Sequence, residues 1–200
     1  MLDLENNRIM EEIESLSSRK RWQDIRDMLL LFEPADTAAI LAELQSDRLP
    51  LIYRLLPKEL AAEVFVEMEP EEQEQLIQTF SDTELKEVLD ELYVDDTVDL
   101  IEEMPASVVK RILRHADPET RRSVNEILKY PEDSAGSIMT TEFVDLKRDM
   151  SVADALKRIR RTGIDKETIN ICYVTDPSRR LLGLVSIRTL LLADQEDIIE

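Results

Sequence analysis

From Phe32 onward the chain repeats an apolar anchor every twelve residues: Phe32, Leu44, Leu56, Met68, Phe80, Leu92, Met104 and Ala116. Eight and nine positions after each anchor stands an apolar pair, beginning with Ile40-Leu41, Ile52-Tyr53, Val64-Phe65 and Leu76-Ile77. Val88-Leu89, Leu100-Ile101 and Ile112-Leu113 continue the series, and it weakens at Val124 with Asn125. Helix-start residues lie between anchor and pair, as in Glu33-Pro-Ala-Asp, Glu69-Pro-Glu-Glu, Ser81-Asp-Thr-Glu and Asp117-Pro-Glu-Thr. Proline fits a first helical turn because its missing N–H costs no internal bond there. Each unit therefore predicts a helix of about two turns, too short to persist alone in water. Stacking has to supply the core, which predicts an all-α superhelical solenoid.

Two longer helices are predicted ahead of the repeats, Leu4 to Leu16 and Trp22 to Phe32, joined by Ser17-Ser-Arg-Lys and capping the first edge of the stack. A last helix, near Glu119 to Lys129, runs into Tyr130-Pro-Glu-Asp-Ser-Ala-Gly136, where proline, aspartate and glycine break the pattern. The division expected is a helical domain over 1–130, a linker over 131–136 and a second domain over 137–200. In the second, alternation replaces the helical period. Phe143-Val-Asp-Leu and Ile169-Asn-Ile-Cys-Tyr-Val-Thr read as strands, and Asp176-Pro-Ser-Arg-Arg turns the latter into Leu181-Leu-Gly-Leu-Val. Ser151-Val-Ala-Asp154 opens a helix, and another starts at Ser186. The fold class is α+β, a solenoid of short helices followed by a small α/β domain.

Composition narrows the chemistry. Aromatic residues make up only 4% of the 200 residues, so Leu, Ile, Val and Met must fill the core. Charges interrupt every apolar run well short of the roughly 20 residues that a membrane-spanning helix needs. The N-terminal residues carry neither a basic region nor an apolar stretch of the secretory kind, so the expectation is a soluble chain in the cytoplasm. Cys172 and His115 each stand alone. A disulfide, a thiolate metal cluster within the chain and a Ser/His/Asp arrangement all lack residues or pattern.

The net charge of −19 argues against nucleic acid and anionic lipid as partners and favours cations or basic proteins, although acidity also serves solubility alone. The charge is concentrated: between Glu59 and Glu103 seventeen Asp and Glu face one base, Lys86. Within this stretch Asp95, Asp96 and Asp99 open a helix, and spacings of three and four set the first two beside the third. Magnesium takes one or two carboxylates and keeps several waters, so such a face suits it. Aspartates in a first turn also stabilise the helix dipole without any ligand. No D-x-D-x-D-G loop provides a calcium cage, and no pocket motif, sugar platform or phosphate loop supports an enzyme.

Ser-Ile-Met-Thr140, a strand, Ser-Val-Ala-Asp-Ala-Leu156, two strands and Gly-Leu-Val-Ser-Ile-Arg-Thr189 together resemble a CBS motif. In the nucleotide-binding form of that motif Gly183 and Ser186 take part, and Thr189 stands where the pattern has a ribose-binding Asp. The alternative role of Ser186 is to cap the final helix. The acidic repeats, the Ala-Gly-Ser-Ile-Met-Thr junction and the CBS motif, in this order, resemble the cytosolic region of MgtE magnesium channels over nearly the whole chain. That resemblance implies Mg2+ as ligand, with Asp95, Asp96 and Asp99 in the place of the N-domain ligands and Glu63 as an addition. It also implies gating by Mg2+-dependent closure of the N and CBS domains at the cytoplasmic face of the membrane. The implied partners are a second CBS motif and a transmembrane pore, beyond these residues, in a homodimer. Two alternatives stand beside it: an α-solenoid scaffold for basic peptides, and an adenine-nucleotide sensor built on the CBS motif.

Overall fold

In the computed structural model the described residues are 2–131, 134–164 and 166–199, with side chains described from residue 8. The expected linker therefore lies partly outside them, at Glu132 and Asp133. The chain divides into two compact units, Met1–Leu92 with Asp96–Lys129, and Tyr93–Asp95 with Tyr130–Glu200. The second unit thus begins at Tyr130 and takes in three residues from far upstream.

The first unit is all helical: α1 (Leu2–Ser18), α2 (Trp22–Leu29), α3 (Pro34–Ala42), α4 (Leu49–Tyr53), α5 (Lys58–Val66), α6 (Pro70–Thr79), α7 (Asp82–Leu89), α8 (Val94–Glu103, whose first two residues group with the second unit), α9 (Ala106–His115) and α10 (Pro118–Ile127). From α5 onward each helix starts twelve residues after the last, at 58, 70, 82, 94, 106 and 118. The paired positions form the interior: Ile40, Leu41, Ile52, Tyr53, Val64, Phe65, Leu76 and Ile77 are each at most 4% exposed. Helices two apart in sequence pack together, α3 on α5, α5 on α7, α7 on α9 and α4 on α6, so the stack has two rows.

Local chemistry sets the helix ends. Pro34, Pro70 and Pro118 occupy first-turn positions. Ser81 and Glu84 form a reciprocal capping box, and Asp117 accepts from the N–H groups of Glu119 and Thr120. Such caps contribute about 1 kcal/mol each. Arginines close the other ends: the guanidinium of Arg111 donates to the carbonyls of Ile77 and Phe80, and that of Arg54 to Thr79. Arg121 donates to Ala116 O at 2.9 Å.

Two details depart from the periodic reading. The repeat slips at α4, which begins at Leu49 and has five residues, because Gln45 to Arg48 form a turn closed by Arg48 N–H to Gln45 O at 2.8 Å. The second helix stops at Leu29, not Phe32. Tight bonds from Leu31 to Met28 and Phe32 to Leu29 wind the chain out of the helix, and the extended Glu33 is the conformation a following proline favours.

The second unit carries a three-stranded sheet, β1 (Phe143–Lys147), β2 (Thr168–Thr175) and β3 (Leu181–Ser186), in the order β1-β2-β3. The β1–β2 pair is parallel, crossed over by α11 (Val152–Thr162), and β2–β3 is an antiparallel hairpin with Val174 opposite Gly183. Arg179 takes a left-handed φ of 62° in the hairpin turn, and Asp176 holds the turn by accepting from Arg180 N–H at 2.8 Å. A short α12 (Ile187–Leu192) follows. Val144, Leu146, Val152, Ala155, Ile159, Cys172, Val174, Leu190 and Ile199 form the core of this unit. Burial pushes the Cys172 thiol up, consistent with a packing role.

Phe65→Ala is expected to cost about 3–5 kcal/mol in urea unfolding, whereas Leu31→Ala, at a residue 83% exposed, stays within about 0.5 kcal/mol. A second expectation concerns acid. Hydrogen bonds from Arg54 at 2.6 Å and from the Ser81 N–H at 2.7 Å bring the Glu84 carboxyl down from 4.5 to about 2. Because its folded value is depressed, its contribution is complete above pH 4.5 and is lost as the pH falls towards about 2. Glu84→Gln should therefore lower the urea midpoint at neutral pH and shrink the loss between those limits.

Candidate functional site

The acidic stretch spans α5 to α8, and its carboxylates sit mainly on solvent-facing positions because the buried positions of each unit are taken by the apolar pairs. On α8 the side chains of Asp96, Asp99 and Glu103 follow at spacings of three and four and share one helix face. With Phe65, Val66, Met68, Gln73, Leu92 and Leu100 they line a cavity of about 220 Å3 within the first unit. Its lining joins five apolar residues to three carboxylate-bearing residues and one amide. Gln73, 7% exposed, is fixed there by donating to Phe65 O at 2.8 Å, which also satisfies a carbonyl at the end of α5.

Of the four residues expected as metal ligands, this cavity unites Asp96 and Asp99. Glu63 lies on the exposed side of α5 and does not line it, and Asp95 groups with the second unit. Within that unit Glu142 accepts from the Val94 N–H at 2.8 Å. Burial raises the Glu142 carboxyl above its usual range, and the charge of Asp95 adds to this against the opposing hydrogen bond. Among the described residues no three acidic, His or Cys side chains converge tightly enough to hold a metal ion. Glu103 and Gln73 escaped the sequence reading. Glu103 had a signal, four residues after Asp99, but the approach of Gln73 is a product of packing.

The nucleotide candidates fall at the end of β3. Ser186 caps α12, accepting from Thr189 N–H at 3.1 Å, and its Oγ lies 2.8 Å from Thr189 Oγ1. Both hydroxyls thus take part in the helix start. Gly183 sits mid-strand with open space where a Cβ would be. The outer side of β2 and β3, with α12, exposes Ile171, Leu184, Leu191 and Leu192, which are 40% to 79% exposed. An apolar cleft of about 300 Å3 adjoins it, lined by Leu156, Ile159, Arg160, Gly163, Ile164, Ile169, Ile187 and Leu191.

A solenoid of short helices with an acidic face, followed by a small α/β unit, defines the class: a two-part helical and α/β module. The family model for the MgtE intracellular N domain matches residues 32–133, just over half of the chain, and that for the CBS domain matches 135–196. The chain belongs to the MgtE N-domain family and carries a CBS domain. It is 37% identical over 194 residues to the magnesium transporter MgtE of Thermus thermophilus, covering 92% of this chain and 43% of the relative. To the magnesium transporter MgtE of Bacillus subtilis it is 26% identical over 175 residues, 88% of this chain and 39% of the relative. It therefore spans less than half the length of these curated relatives. Among solved structures, the cytosolic domain of the Mg2+ channel MgtE in complex with ATP superposes with a TM-score of 0.86 at 34% identity, covering 95% of this chain and 78% of that one. The soluble part of a magnesium transporter, 23% identical, shares the fold with a TM-score of 0.83 over 97% of this chain and 77% of that one.

Since a Cβ at Gly183 meets nothing, Gly183→Ala should leave folding intact or stabilise it by about 0.5–1 kcal/mol, as for glycine replaced within a strand. Thermal unfolding checks this, and a loss of stability would mean the strand edge is more crowded than its geometry implies.

Proposed function

We propose that this chain is the magnesium-sensing regulatory region of an MgtE-type magnesium transporter or channel, acting at the cytoplasmic face of the membrane. The observation that carries the reading is the α8 face, where Asp96, Asp99 and Glu103 border one cavity inside a segment of seventeen carboxylates and one lysine. The names of the relatives, all magnesium transporters, support the choice of ion. Like-charge repulsion within the segment opposes the compact state, and a divalent cation bound between carboxylates removes part of it. An ion that binds the closed arrangement more tightly shifts the population towards closure. Asp95 and Glu63 would complete the ligand set together with groups supplied by the rest of a full-length protein, including a second CBS motif and the pore. The exposed apolar side of β2, β3 and α12 supports a further CBS motif as its cover, and pairing into a homodimer follows in the same reading.

Adenine-nucleotide sensing is a second reading. It is favoured by the ATP complex of the similar cytosolic domain, and it would employ Gly183, Ser186 and Thr189. Saturable ATP binding weakened by Ser186→Ala would support it.

Magnesium is expected to raise the thermal midpoint and to reduce the radius of gyration in X-ray scattering, beyond a sodium chloride series of equal ionic strength. At a magnesium concentration of about 100 Kd the stabilisation should be about 2.7 kcal/mol. Asp96→Asn with Asp99→Asn should abolish the difference between the salts while the variant still folds. Identical behaviour in both salts would leave the scaffold reading standing; a magnesium effect untouched by the double substitution would move the site elsewhere.

A further inference from the structure

The second unit bears a local excess of positive charge that neither reading above employs. A cleft of about 500 Å3 opens between the end of β1 and the exposed side of α11, lined by Lys147, Lys157, Arg158 and Arg161 together with Asp149 and Asp154. Four cations against two carboxylates stand out in a chain of net charge −19.

The cleft has a fixed wall and a free one. Asp145 anchors the fixed wall. Arg158 donates from Nε to the Asp145 carbonyl at 2.6 Å and from Nη2 to the Asp145 carboxylate. Lys147 lies 3.1 Å from the other carboxylate oxygen and donates to Thr175 Oγ1 at 2.7 Å. Burial pushes the Asp145 carboxyl up, but the hydrogen bonds from Arg158 and Lys147 outweigh it and hold the group below its usual range. The pair is thereby positioned by a permanent charge. Asp145 engages two of the five N–H donors of Arg158, so most of the planar fork is left for a ligand. On the free wall Lys157 and Arg161 are exposed and one turn apart on α11, where like charges repel. Asp154 also lines the cleft, its Oδ2 accepting from Ser151 Oγ at 3.0 Å.

We propose that this cleft binds the phosphate group of an anionic ligand, whether a free phosphate compound or a lipid headgroup. A guanidinium held in one orientation matches phosphate oxygens in a bidentate manner, and lysines add charge without demanding geometry. The volume suits a pyrophosphate or a nucleotide diphosphate tail. The site is separate from Gly183 and Ser186, which do not line it, and it does not rest on the magnesium reading.

The test is calorimetric titration of the whole chain with inorganic pyrophosphate, without magnesium and at constant ionic strength, paired with cosedimentation on vesicles of phosphatidylcholine with or without phosphatidylglycerol. Saturable binding of one pyrophosphate is expected, weakened at least about tenfold by Lys157→Gln with Arg161→Gln, both exposed, and unaltered by Ser186→Ala. Retention on phosphatidylglycerol vesicles, reversed by pyrophosphate and lost in the double variant, assigns the site to lipid headgroups. Pyrophosphate binding without vesicle retention assigns it to free phosphates. Binding to neither probe, binding indifferent to the double substitution, or binding lost in Ser186→Ala would each overturn the proposal.

Discussion

A helix of two turns does not survive alone in water, and the first unit is built almost wholly from such helices. What holds each in place is the apolar pair that it inserts between its neighbours. Val64-Phe65, Leu76-Ile77 and Val88-Leu89 are buried in succession, and helices two apart share the resulting core. Stability is therefore local and additive along the stack, in the manner of repeat proteins. The outer positions are released from the packing of the core.

That release explains how seventeen carboxylates can be tolerated between Glu59 and Glu103. Cohesion comes from inside, and the surface can carry a repulsive charge so long as the core outweighs it. The counter-charges that do reach the segment are spent on helix ends. Arg54 bridges Glu84 and the Thr79 carbonyl, Arg111 closes the end of α6 beside Asp82, and Lys58 pairs with Glu91 at 2.6 Å. The α8 face keeps three carboxylates around one cavity.

The second unit follows another logic. Its sheet has one packed side, closed by α11 around Val144, Leu146 and Cys172, and one side where Ile171 and Leu184 stand exposed. Antiparallel and mixed sheets of this size ordinarily keep polar residues on a solvated side. Ile171 and Leu184 depart from that pattern. Its charge is nearer balance than that of the solenoid, with basic side chains gathered at the end of β1 and along α11.

The sequence by itself determined most of the solenoid, because a twelve-residue period records both constraints at once: proline or a capping side chain where each helix begins, and an apolar pair where it is buried. Strands and the caps at Ser151 and Ser186 were legible for the same reason, being matters of nearest neighbours in the chain. The turn before α4 and the early end of α2 were not, since they hinge on backbone bonds that the apolar spacing does not encode. Spacing also put Asp95 and Asp96 equally beside Asp99. Only the tertiary structure separated them, by giving Asp96 the cavity walled by Phe65 and Gln73 from other helices and assigning Asp95 to the other unit. The approach of Lys147 to Arg158 was likewise invisible, because parallel pairing and a crossover helix join residues whose spacing carries no period.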